Sequence, residues 1–112
     1  MADNIFAKII AKQIPAKIVF EDDRALAFRD INPQAPVHIL ILPKQAIANV
    51  AATDNEPLLG HLLTVATAIA KQEGIDATGY RLVINKGRAA GESVPHLHVH
   101  LLGGRALQWP PG

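Results

Sequence analysis

Hydrophobic and polar positions in this chain follow two periods, and the periods mark its elements. Between Asn4 and Lys12, Ile5, Ile9 and Lys12, and again Phe6 and Ile10, recur at helical spacing. Pro15 is expected to end that short helix. Ile18-Val19-Phe20 and Ala25-Leu26-Ala27-Phe28 flank the polar tetrapeptide Glu21-Asp22-Asp23-Arg24, the pattern of a hairpin. Asn32-Pro33-Gln34-Ala35-Pro36 reads as a turn or loop, and Val37 to Leu42 as an apolar strand stopped by Pro43. A long helix follows. Thr53 and Glu56 match a capping box, Pro57 still lies in the first turn, and Leu58, Leu59, Leu62, Leu63, Ala66, Ile69 and Ala70 form one apolar face. Gly74 is a C-terminal stop. Tyr80 to Asn85 and His96 to Leu102 are two more strands, joined by the glycine-rich stretch Lys86 to Pro95. The sum is an α+β fold: a five-stranded antiparallel sheet, one long helix and a short N-terminal helix.

Composition narrows the function more than the fold. With 112 residues the chain suits one domain, 1–112, and its modest core leaves room for help from a partner subunit. An apolar fraction of 49% argues against disorder. A formal net charge of +1 is no footprint for long nucleic acid. Without cysteine, disulfides and thiolate zinc sites are excluded. Leu58 to Ala70, interrupted by Gly60, His61 and threonines, is too short and too polar to span a bilayer. The N-terminus, Met1 to Ile10 with Asp3 and Lys8, lacks the basic-then-apolar order of a signal peptide. The expectation is a soluble cytoplasmic protein.

The chemistry is concentrated in His96-Leu97-His98-Val99-His100. On a strand, alternate side chains share a face, so the three imidazoles are expected together and Leu97, Val99 and Leu101 opposite them, in the core. His61 lies off the apolar face of its helix and reads as a surface residue. A metal site is one possibility for the row, but alternate strand residues lie roughly 6.6 Å apart and the outer pair roughly 13 Å, too far for one ion. Two of them could ligate with a third residue such as His38, and Glu92 is the one acidic residue expected beside the row. Phosphoryl transfer fits better. An imidazole with pKa near 6.5 serves as nucleophile or base, and a protonated neighbour donates to a leaving group or to phosphate oxygens. Gly87, Gly91 and Ser93 just upstream allow backbone N–H groups and a hydroxyl to approach phosphate.

Ser93-Val94-Pro95-His96-Leu97-His98-Val99-His100-Leu101-Leu102 resembles the histidine triad signature, three histidines separated by apolar residues. Ile5 to Ile10, Ile14 to Lys17, Phe20 to Asp23, Gln34 to His38, Leu102 to Arg105 and Trp109 to Gly112 are similar to the histidine triad nucleotide-binding, or Hint, branch. The resemblance implies a homodimer with a sheet extended across the two subunits. It implies hydrolysis of purine nucleoside 5′-phosphoramidates, carrying AMP or GMP, with no metal or other cofactor. It assigns His98 as the nucleophile that becomes nucleotidylated and His100 as phosphate contact and proton donor. His96 supplies a carbonyl that orients the nucleophile, and His38 assists proton transfer. Asn85 and Ser93 correspond to positions near phosphate and leaving group, Asp30 to the acid that holds the ribose hydroxyls, and Ile5, Phe6, Phe28 and Ile31 to the walls around the base. Glu92 stands where that branch commonly has glutamine. Leu107 and Trp109 read as exposed and compatible with a partner contact. A nucleotide-binding interaction module with vestigial hydrolysis, and a metal-binding protein, are the alternatives.

Overall fold

A computed structural model describes residues 4–112, so Asp3, used above in reading the N-terminus, lies outside the described residues. The chain runs α1 (Ile5–Ile10), β1 (Ile18–Glu21), β2 (Ala25–Arg29), β3 (Val37–Pro43), α2 (Glu56–Gln72), β4 (Tyr80–Val83) and β5 (Val99–Gly103). The five strands form one antiparallel sheet in the order β1-β2-β3-β5-β4. The hairpin over Ile18 to Phe28, the loop at 32–36 and the strand at Val37 are where the hydrophobic pattern puts them.

Alternation along β2, β3 and β5 sorts the sheet into two faces. Ala25, Ala27, Ile39, Ile41, Val99 and Leu101 pack under Leu58, Leu62, Val65, Ala66, Ile69 and Ala70 of α2. Leu26, Phe28, Leu40 and Leu42 face the other way, against Phe6 and Ile9 of α1. The six-residue α1 covers only part of that second face, and the histidines occupy the rest.

Four boundaries differ from the sequence expectation by more than one residue. First, α1 stops at Ile10, and Lys12 turns into the left-handed region at φ 62°, so the chain has reversed before Pro15. Second, Asn55, not Thr53, caps α2: its side chain accepts from Leu58 N–H at 3.1 Å, and Leu59 N–H reaches the Asn55 carbonyl at 3.0 Å. A cap at Thr53 would put Pro57 where the first intrahelical N–H is required; a cap at Asn55 puts it where none is. Gly74 takes φ 76° just past the helix, as a stop there requires. Third, β4 ends at Val83 rather than Asn85. Fourth, β5 begins at Val99 rather than His96. The β3–β5 register pairs Ile41 with Val99, which brings Pro43 opposite Leu97, and Pro43 has no N–H for the ladder. Leu97 N–H turns instead to the Ile47 carbonyl at 2.7 Å.

His61 is on the polar side of α2 but is not a loose surface group. Its Nε2 lies 2.6 Å from Asp22 Oδ2 and its Nδ1 3.2 Å from Arg24, which fastens the β1–β2 turn to the helix. The far end of β2 is fastened too, by a two-pronged pair between Arg29 and Glu73 at 2.8 and 2.9 Å. No helix among the described residues is long and apolar enough to cross a membrane.

Candidate active site

The two histidines that precede β5 are held by backbone carbonyls. His96 is sealed in the interior, 1% exposed, and its Nε2–H donates to the Pro43 carbonyl at 2.9 Å. Its Nδ1 is buried without a partner, and burial holds its pKa below the ordinary histidine value. His96 is therefore a neutral, structural imidazole. Its own carbonyl accepts from His98 Nδ1–H at 2.6 Å. That bond puts the His98 proton on Nδ1 and leaves Nε2 with a free lone pair whenever the ring is neutral. Phe6 meets the His98 ring edge-on at 4.9 Å, and Phe28 meets Phe6 at 5.7 Å, so the nucleophile-type nitrogen belongs to a ring walled by aromatic surface.

A second pair sits beside it on β3 and β5. His38 Nδ1 accepts from the Gln34 backbone N–H at 3.0 Å, and His38 Nε2 lies 2.9 Å from His100 Nδ1. A neutral ring whose Nδ1 is an acceptor must carry its hydrogen on Nε2, so His38 donates to His100. His100 then accepts at Nδ1 and carries its own hydrogen on Nε2. The His98 and His100 rings are 5.0 Å apart and are held in opposite tautomers: one offers an Nε2 lone pair, the other an Nε2–H. Burial, then the neighbouring His98 and His38, push the His100 pKa down to about 4, partly offset by Asp30. Burial likewise lowers His38, and Asp30 again opposes it.

Asp30 is the acid at this site, where the sequence suggested Glu92. Asp30 Oδ2 lies 3.5 Å from His38 Nε2, and its Oδ1 accepts from Asn32 N–H at 2.8 Å. Sequence spacing could not show this, because Asp30 and His100 meet only through β3. Glu92 is turned into its own loop, accepting from Gly87 N–H at 2.6 Å. Asp30, Ile31 and His38 line a cavity of about 610 Å³ with Pro15, Ala16 and Arg29. Ile31 stands 91% exposed at this cavity and Ile5 is half exposed on α1. Asn85 is half-buried just past β4 and Ser93 exposed before His96; among the described residues neither side chain hydrogen-bonds to a histidine. Leu107 is half-buried, unlike the expectation of an exposed residue, whereas Trp109 is 80% exposed. Pattern reading missed Gln34 and Pro43, because each acts through its backbone and no side-chain type signals that.

A family model for the HIT domain matches residues 11–107, which include His38 and the whole histidine row. The chain belongs to the HIT family. A Zea mays protein named 14 kDa zinc-binding protein is 55% identical, covering 97% of this chain and 88% of its own. The crystal structure of a HIT family hydrolase from Legionella pneumophila superposes with a TM-score of 0.95 at 48% identity, covering 98% of this chain and all of that one. A histidine triad nucleotide-binding protein from Candida albicans superposes with a TM-score of 0.85 at 32% identity, covering 96% of this chain and 83% of that one. The fold is thus that of HIT hydrolases, with a sheet and helix arrangement shared almost end to end.

Proposed function

We propose that this HIT protein, acting over its whole length 1–112, hydrolyses the P–N bond of purine nucleoside 5′-phosphoramidates, adenosine-type favoured. The observation that carries this is the pair of neighbouring imidazoles in opposite tautomers, His98 with a free Nε2 lone pair and His100 with an Nε2–H. His98 Nε2 attacks phosphorus, and the P–N bond breaks as the leaving nitrogen takes a proton from His100. Water then attacks the nucleotidyl-histidine, gives its proton to His100, and frees both His98 and the nucleotide. Without substrate His100 is neutral at pH 7; the phosphoramidate anion favours its imidazolium, the added proton coming from solvent onto Nδ1 while His38 Nε2–H turns from His100 to Asp30 Oδ2, 3.5 Å away. His96 positions His98 through its carbonyl, and His38 positions and assists His100. Asp30 takes the ribose hydroxyls, Phe6, Phe28, Ile5 and Ile31 flank the base, and Asn85 and Ser93 serve the phosphate and leaving group.

Steady-state hydrolysis of adenosine 5′-phosphoramidate tests this. The native chain should release AMP, and His98→Ala should bind AMP yet fail to turn over. Equal turnover in both proteins would remove His98 as nucleophile. Nucleotide binding without turnover by the native chain would favour an interaction module instead.

The reading includes a homodimer in the cytoplasm. Supporting the dimer, the outer edge of β4 carries no further strand among the described residues, Ile84 beside it is exposed, and Trp109 is tethered there by Arg81. Light scattering in solution tests the dimer.

A zinc site is the second reading. Asp30, His38 and His100 offer ligand atoms within 4.8 Å of one another, and the maize relative carries a zinc-binding name. Zinc bonds of about 2.0–2.1 Å set its nitrogens roughly 3.3 Å apart, close to the 2.9 Å seen between His38 and His100. These residues would hold the ion in place of their mutual hydrogen bond, where it would act as a Lewis acid. Stoichiometric zinc in the purified protein, lost in Asp30→Asn, with turnover abolished by chelation, would favour it.

A further inference from the structure

The tautomers of the His38–His100 pair are set by the Gln34 backbone amide, and that amide belongs to a loop with an external fastening. Residues 30–36 leave β2, turn, and re-enter at β3. Within the loop, Asn32 N–H is held by Asp30, and Gln34 Nε2–H donates to the Asn32 carbonyl at 3.0 Å. From outside, Arg105 Nε–H donates to the Gln34 carbonyl at 3.1 Å. Arg105 follows the Gly103-Gly104 pair at the end of β5, and its own Nη1–H is braced on the Ala106 carbonyl at 2.9 Å. Gly104, at φ 87°, brings this segment so close that a Cβ there would lie 2.9 Å from Pro36 Cβ.

We infer that Arg105 is a positioning residue for the histidine pair. By holding Gln34 through its carbonyl, it keeps the N–H of the same residue on His38 Nδ1. That fixes the proton on His38 Nε2, which fixes the acceptor role of His100 Nδ1, which leaves His100 Nε2–H as the donor. Arg105 is exposed and none of these bonds joins it directly to a histidine, so it acts wholly through the loop. The groups that face His38 are Asp30 at the end of β2 and His100 on β5, with His98 beyond it. With the Gln34 N–H released, a proton can also reside on His38 Nδ1, opposed only by Asp30 Oδ2 at 3.5 Å from Nε2. The ring can then turn its Nε2 lone pair, rather than its hydrogen, toward His100.

The proposal refines the phosphoramidate reading but can be tested without it. Long-range ¹H–¹⁵N correlation of the histidine rings in the intact native protein should show His38 and His100 as single Nε2–H tautomers at pH 7.5. In Arg105→Ala the His38 resonances should move toward tautomer-averaged values. Arg105→Lys, which keeps one donor, should restore part of the native pattern. On the adenosine phosphoramidate, Arg105→Ala should lower kcat about tenfold with KM for the nucleotide within about twofold. A native tautomer pattern in Arg105→Ala would overturn the inference. So would equal losses in kcat, nucleotide binding and thermal midpoint, which would mark a merely structural residue. If the native chain has no phosphoramidase activity but the ring spectra change as stated, the reaction assignment falls and the positioning role stands.

Discussion

The two faces of this sheet are built from the same three strands and have opposite characters. Under α2, every side chain that β2, β3 and β5 contribute to the apolar cluster is Ala, Val, Ile or Leu. On the other face, leucines and Phe28 occupy the part that α1 covers, and then His38, His98 and His100 take positions of the same kind. A buried imidazole costs stability unless its nitrogens are satisfied; here His96 carbonyl, Pro43 carbonyl and Gln34 N–H each take one ring nitrogen and His38 and His100 take one from each other, while His96 Nδ1 is buried without a partner. One face therefore supplies the stability that the other spends on holding histidines neutral and in chosen tautomers. Alternation with period two lets one short strand do both.

The sharpest way to break that division is His98→Ala. It should lower turnover by roughly a thousandfold or more while leaving the fold intact, since the loss lies on the site face. Conversely, Leu62→Ala on the α2 face, where Leu62 is 1% exposed, should cost about 2–5 kcal/mol in denaturant unfolding and leave kcat of the folded fraction near native. If Leu62→Ala impaired catalysis as strongly as stability, the two faces would not be separable.

A smaller effect concerns acid. His38, His96 and His100 have folded pKa values below their ordinary one, His100 at about 4. As pH falls below about 6.5 the unfolded chain takes up protons that the folded chain still refuses, so stability present at neutral pH is lost through that window. Thermal midpoints measured from pH 7.5 to 4.5 should fall, and His100→Asn should flatten the fall. A midpoint that holds steady across this range would show that the imidazoles are not held neutral by burial.

Much of the α2 face is legible from the chain because apolar periodicity follows burial: Leu58, Leu62, Ala66, Ile69 and Ala70 are buried as the pattern expects, whereas Leu63, at the margin of that face, is exposed and Val65, outside the expected face, is buried. The site face was legible by kind but not by geometry. The histidine row announces itself, yet its first two members precede the strand, because a proline on the partner strand interrupts the ladder at a place no periodicity marks. Asp30 was named for its resemblance to a ribose-binding acid, but its closeness to His38 depends on the return of β3 beside β2. The groups that set the tautomers, the Gln34 amide and the His96 and Pro43 carbonyls, are common to all residue types, so sequence carries no sign of them.

The central claim is that a histidine lone pair, and not water, first attacks phosphorus. Hydrolysis in ¹⁸O-labelled water of an adenosine 5′-phosphorothioamidate of one configuration at phosphorus tests it most directly. Two successive displacements, by His98 and then by water, predict net retention of configuration. Inversion would mean a single attack by water and would contradict the account.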